Sequence, residues 1–214
     1  MKILILNGWA GNHAIWEPLL KRLSVNDVLI PNLDTQLNPL KLQAIYEEYN
    51  PDMIICWSMG FLTLKDLYIN NISMPVIIIN GVSSFTKQVP ELIVRRMQKK
   101  LRKNKVQVLS DFWQNQFEPV KMDCEFLIKE EEHSPIDTDI LIKGLDQLVN
   151  EVHLVEDFYQ RHKNFVCLHA SQDKIYRSEV SSSLPKDHFI EVGKCHASQW
   201  TDSQQLAYII EDYF

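Results

Sequence analysis

Met53-Ile54-Ile55-Cys56-Trp57-Ser58-Met59-Gly60 decides how this chain is read. An apolar run leads into a serine, a glycine follows two positions later, and Phe61 to Asn71 continues in a helical pattern. A strand that turns into a helix this abruptly leaves no space for large side chains two positions before or after the turning residue. Its strained backbone lifts the serine hydroxyl out of the fold, as a nucleophile elbow requires. The usual elbow has glycine on both sides; here Cys56 occupies the first position and keeps the side chain small.

Outward from that stretch, short apolar runs alternate with longer amphipathic ones. Ile3 to Leu6, Asp27 to Ile30, Asp52 to Trp57 and Val76 to Ile79 read as strands. His13 to Leu23, Pro39 to Tyr49 and Gly60 to Asn71 read as helices between and after them. The strands are continuously apolar and β-branched rather than alternating, which predicts a mostly parallel sheet covered by helices on both faces. From about 83 to 156 the pattern is helical, charged and without a convincing strand. Phe165 to Leu168 and His188 to Val192 then resume the sheet, with a helix expected around Arg177 to Leu184 and a last one from Ser198 to Phe214. The expectation is one domain, an α/β core over 1–82 and 157–214 with a helical cap inserted over 83–156.

The bulk numbers fit that picture. A chain of 214 residues, 45% hydrophobic and 23% charged, supports a substantial core. A formal net charge of −6 gives no general reason to expect nucleic-acid binding. Cys56, Cys124, Cys167 and Cys195 are scattered with no CxxC pair, as for buried thiols in a reducing compartment. Four apolar residues after Met1-Lys2 are too few for a signal-peptide core or a membrane span. A cytoplasmic monomer that engages neither membrane nor nucleic acid is expected.

A serine hydroxyl needs a base within reach, a carboxylate to orient that base, and donors for the developing oxyanion. In a parallel sheet, the loops leaving the carboxyl ends of the strands converge on one rim. Of seven histidines, His196 fits: it lies three residues past Gly193, beyond the last expected strand. Asp173 holds the matching place beyond the preceding strand. Ser58, Asp173, His196 is the chain order of α/β-hydrolase triads. His169, at a strand end, reads as structural. The oxyanion hole would use the backbone N–H of Met59, at a helix N-terminus, and that of Trp9 in the Asn7-Gly8-Trp9-Ala10-Gly11-Asn12 loop.

Triad, elbow and loop together resemble the α/β-hydrolases, and more narrowly the pimeloyl-acyl-carrier-protein methyl ester esterases of biotin synthesis, the BioH type. Asn7-Gly8-Trp9-Ala10 takes the place of that family's His-Gly-Trp-Gly, and Cys56-Trp57-Ser58-Met59-Gly60 that of its Gly-Trp-Ser-Leu-Gly. Asp139 to Leu148 resembles the end of the family's cap, and Gly193-Lys194-Cys195-His196-Ala197 its histidine loop. Asn7 departs from the family's histidine. The resemblance implies hydrolysis of a methyl ester on a pimeloyl chain borne by acyl carrier protein, with no metal or organic cofactor. It makes Trp9, Phe85, Phe112, Trp113 and Phe117 candidates to line an acyl channel.

One local feature bears on such a partner. Arg95, Arg96, Lys99, Lys100, Arg102, Lys103 and Lys105 put seven cations in eleven positions with no acid among them. In an acidic chain, such a patch would steer an acidic carrier protein, and the first six residues are the docking candidates. Two other functions share the same residues. One is a broad carboxylesterase or thioesterase on small acyl substrates, because pocket shape rather than the nucleophile sets the substrate. The other is a non-catalytic binding protein on this fold, which an intact triad disfavours.

Overall fold

A computed structural model of the chain describes residues 1–25, 27–67, 74–150, 158, 162–176 and 188–213. Six strands form one sheet: β1 (Lys2–Leu6), β2 (Asp27–Leu29), β3 (Met53–Trp57), β4 (Val76–Ile79), β5 (Phe165–His169) and β6 (Phe189–Glu191). Every pairing is parallel, and the strands lie in the order β2-β1-β3-β4-β5-β6. The chain winds outward from β1 to β2, then returns to β1's other side with β3. Loops after β1 and β3 therefore part at a topological switch point, the crevice where open α/β sheets bind ligands.

Side chains of successive strand residues point to opposite faces, and both faces are packed. Ile3, Ile5, Met53, Ile55, Trp57, Ile77, Ile79, Val166 and Leu168 enter one apolar cluster. Leu4, Leu6, Ile54, Cys56, Val76, Ile78, Phe165 and Cys167 enter another. Burial on two sides explains why these strands are uninterrupted apolar runs.

The helices begin with α1 (Glu17–Leu20), α2 (Leu33–Gln36) and α3 (Pro39–Tyr49). A single helix was expected over His13 to Leu23; instead a 3-10 turn, His13–Trp16, precedes α1. Pro18 accounts for the break, since it has no N–H to donate to Ala14 and its ring crowds the preceding turn. α3 spans its expected range, with the Asn38 side chain capping the Lys41 N–H, Pro39 in the first turn and Asn50 left-handed at the end. Beyond the serine, α4 (Gly60–Thr63) is one turn continued by a 3-10 turn, Leu64–Asp66, rather than the long helix expected through Asn71; 68–73 lie outside the described residues.

Between β4 and β5 lie the cap helices α5 (Glu91–Leu101), α6 (Lys105–Gln116), α7 (Glu125–His133) and α8 (Thr138–Asn150). The helix expected around Arg177 to Leu184 falls outside the described residues. The expected last helix is two, α9 (Ser198–Thr201) and α10 (Ser203–Asp212). Asp202 breaks the run: it takes the N-cap position of α10, while its carboxylate accepts the Thr201 hydroxyl at 2.6 Å. Among the described residues no helix is long and apolar enough to cross a membrane.

Candidate active site

Ser58 is the first residue after β3 and has φ +54°, left-handed for a residue with a Cβ. That conformation costs about 1–2 kcal/mol and persists where neighbours over-determine it. Here they do. The Ser58 N–H donates to Ile79 O at 3.0 Å, and its carbonyl accepts from Val82 N at 3.1 Å and Phe61 N at 3.2 Å. A Cβ on Gly60 would collide with the Leu6 carbonyl oxygen at the end of β1, so only glycine allows the chain to turn this close to the neighbouring strand. Cys56 meets no such obstacle: it is fully buried in the face shared with Leu6, Ile78 and Cys167. Burial pushes its thiol far above the ordinary range, so it stays protonated and inert.

His196 and Asp173 are brought together, both buried. Nδ1 of His196 lies 2.6 Å from Oδ2 of Asp173. A carboxylate only accepts, so Nδ1 carries a proton, and in the neutral imidazole Nε2 is then the atom with the lone pair. Nε2 is buried and bonds to no described residue, the Ser58 hydroxyl included. The other carboxylate oxygen, Oδ1, accepts from Ile175 N at 2.7 Å and Tyr176 N at 3.1 Å, which fixes the group against rotation. The two loops also bond to each other: Ser171 N donates to Gly193 O at 3.3 Å and Gln172 N to Lys194 O at 3.1 Å. His169, at the end of β5, is buried; desolvation lowers its pKa, with the negative charge of Asp173 acting in the opposite direction.

What joins the serine side to the histidine side is Trp57. Its ring sits 5.6 Å from the His196 imidazole, and its indole N–H donates to the His196 carbonyl at 2.9 Å. Asn80 completes the clamp. Nδ2 donates to the His196 carbonyl at 2.9 Å and to Ser198 Oγ at 2.7 Å, while Oδ1 accepts from Ala170 N at 2.7 Å. One buried amide thus ties the end of β4 to the loop of Asp173 and the loop of His196.

The loop after β1 passes directly over the serine. A Cβ on Gly8 would lie 3.0 Å from Ser58 Cβ and 3.0 Å from the Trp57 ring, so the backbone carrying the Trp9 N–H runs against the Ser58 side chain. Asn7, where the resembled family has histidine, anchors this loop. It exchanges two hydrogen bonds with the Gln36 side chain, at 2.7 and 2.8 Å, and accepts the Trp16 indole N–H at 2.7 Å. Met59 follows Ser58 at the head of α4, whose single turn supplies less dipole than the longer helix expected from sequence.

Several solved structures share this fold. An esterase from Exiguobacterium antarcticum superposes with a TM-score of 0.78 at 12% identity, over 100% of this chain and 91% of that one. The enol-lactonase of Burkholderia xenovorans gives 0.74 at 14% identity, covering 99% and 90%. An alpha/beta hydrolase from a Medee basin deep-sea metagenome gives 0.68 at 15% identity, covering 99% and 88%. This chain has the α/β-hydrolase fold. By sequence it matches no family model and no curated protein.

The cap residues singled out in the sequence take varied positions. Phe112 meets the Trp9 ring edge-on at 4.7 Å. Trp113 is buried and donates its indole N–H to Ala10 O at 3.1 Å. Phe117 is fully buried and packs on Phe126, while Phe85 stacks on Tyr176 beside the Asp173 loop. The Trp9 side chain is drawn into the cap, donating to Leu141 O at 2.8 Å.

The cation run is partly neutralised by acids from its own helix and from other elements. Arg95 pairs with Glu91 and Asp146, Arg102 with Asp139 at 3.0 Å, and Lys105 with the buried Glu131 at 2.7 Å. Arg96, Lys99, Lys100 and Lys103 are exposed and form no ion pair among the described residues. Arg96 and Lys100 rim a groove of about 330 Å³ between α5 and α6, with Ile93, Met97, Val108 and Phe112 among its lining residues.

Asn80 and the positioning role of Trp57 were missed in the sequence. Asn80 directly follows a strand, and no local pattern reveals that an asparagine side chain reaches loops about 90 and 116 positions away.

Proposed function

We propose that this protein is a serine carboxylester hydrolase. The observation that carries the reading is the buried His196–Asp173 pair, whose unspent Nε2 lies on the loop that Trp57 ties to the strained Ser58. Ser58 Oγ attacks the ester carbonyl as Nε2 takes its proton. The tetrahedral oxyanion is met by the N–H groups of Trp9 and Met59. Nε2 then protonates the departing alkoxide, leaving an acyl-enzyme. A water that gives its proton to Nε2 attacks that acyl group and releases the acid, and the proton returns to Ser58. Asp173 holds the Nδ1–H tautomer throughout and stabilises the imidazolium at each transfer.

For the substrate, the reading is the methyl ester of a pimeloyl chain on acyl carrier protein. Two observations support it: the resemblance of loop, elbow and histidine segment, and the cations of α5 and the turn after it that form no ion pair among the described residues. Docking would use Arg96, Lys99, Lys100 and Lys103, with Arg95 and Arg102 contributing less because each is already paired within the cap. A biotin auxotroph lacking its pimeloyl-ester esterase tests the substrate. Growth restored by the wild type and not by Ser58→Ala supports it. Failure of the wild type, together with ester hydrolysis by the purified protein, would favour the broad esterase reading instead.

A further inference from the structure

Resting on Ser58 as the nucleophile and the Trp9 N–H as an oxyanion donor, we propose that Trp113 of the cap is a positioning residue that sets the oxyanion loop. The loop closes on itself through Gly11 N to Gly8 O at 3.1 Å. Within it Ala10 has φ +54°, left-handed for a residue with a Cβ and therefore maintained only by what surrounds it. The Ala10 carbonyl is held by the Trp113 indole N–H at 3.1 Å, and the adjoining Trp9 side chain by the Leu141 carbonyl at 2.8 Å. Both anchors belong to cap helices, α6 and α8. Gly144 of α8 comes so near that a Cβ there would stand 2.8 Å from Trp9 Cδ1, and Phe112 of α6 closes the indole's other contact.

The coupling is geometric. The Trp9 N–H and the Ala10 carbonyl belong to peptide units separated only by the Trp9–Ala10 unit, so relaxing Ala10 toward the right-handed region turns the plane of that intervening unit and displaces the Trp9 amide. Ala10 and Trp113 are both buried, so no solvent takes over the bond. The cap thereby does more than cover the site: it holds one wall of the oxyanion hole in a conformation the loop alone disfavours. An oxyanion donor acts only if it points at the charge that develops in the transition state, so its loss falls on kcat.

Trp113→Phe keeps the ring and removes the donor. On a small p-nitrophenyl ester, kcat is expected to fall about tenfold with KM within twofold. Affinity for a boronic acid that mimics the tetrahedral intermediate should fall by the same factor, and inhibition by the product carboxylate should not change. Trp9→Phe removes the other anchor; it should give the same split and serves if Trp113→Phe does not fold. Ala10→Gly, which accepts φ +54° without strain, should recover part of the loss in the Trp113→Phe background. A lowered melting temperature with unchanged kcat, or a loss confined to KM, would overturn the inference and leave Trp113 as core packing. A wild type that hydrolyses no ester and takes up no fluorophosphonate overturns the serine-hydrolase reading itself, and this inference with it.

Discussion

Asn80→Ala removes a single buried amide and is expected to cost both stability and activity. Four contacts disappear: with His196 O at 2.9 Å, Ser198 Oγ at 2.7 Å, Cys195 O at 3.4 Å and Ala170 N at 2.7 Å. His196 O keeps the Trp57 indole, and Ser198 Oγ keeps Cys195 O at 3.2 Å, so those losses are of the order of 1 kcal/mol each or less. Ala170 N–H is fully buried with nothing to replace Oδ1, which adds about 1–3 kcal/mol. Position 80 also has φ +46°, which alanine tolerates less well than asparagine by roughly 1 kcal/mol. The sum is roughly 3–5 kcal/mol, a fall in melting temperature of about 10 °C for a chain of this size. The histidine loop loses its tie to β4, and a displacement near 1 Å at the base lowers kcat by about 100-fold. Asn80→Gly serves as the comparison, since it frees φ and should regain about 1 kcal/mol of stability without regaining kcat. Urea denaturation and steady-state hydrolysis of a p-nitrophenyl ester measure the two quantities. Stability within 1 kcal/mol of wild type and kcat within twofold would refute the clamp.

Two further tests concern groups close in sequence to Asp173 and Ser58. Burial holds the His169 pKa below its ordinary value near 6.5, so the unfolded chain takes up a proton first as the solution is acidified. Its stability contribution is therefore complete above about pH 6.5 and declines as pH falls toward the folded-state value, with a slope of at most about 1.4 kcal/mol per pH unit. His169→Phe should remove that slope from denaturation curves collected between pH 5 and 7, and an identical pH dependence in the two proteins would refute the assignment. Cys56→Ala should retain kcat within about threefold while losing roughly 1 kcal/mol of stability, because the buried thiol only fills space. An inactive but folded Cys56→Ala would return the thiol to the mechanism.

What the sequence made legible followed from local causes. The apolar runs around Ile54, Ile77 and Val166 had to be central parallel strands, because their residues divide between two packed faces. Ser58 and Gly60 were readable because an elbow's sterics act over two residues. Asp173 and His196 were readable because both stand just beyond strands of one parallel sheet. Pro18 and Asp202 split expected helices through side-chain effects that hydrophobic periodicity does not register. The cations from Arg95 to Lys105 looked unopposed because Glu91 lies just outside the run and the other partners, Glu131, Asp139 and Asp146, come from elements more than twenty residues away. Asn80, Trp57 and Trp113 make long-range side-chain hydrogen bonds, which leave no periodic trace.

The central claim is that Ser58 is an activated nucleophile. Intact mass measurement after exposure to a fluorophosphonate tests it most directly. One adduct per wild-type chain, mapped to Ser58, with none on Ser58→Ala and much slower labelling of His196→Ala, is the expected result. A folded wild type that takes up no label, or a Ser58→Ala variant that labels as fast as wild type, would contradict it.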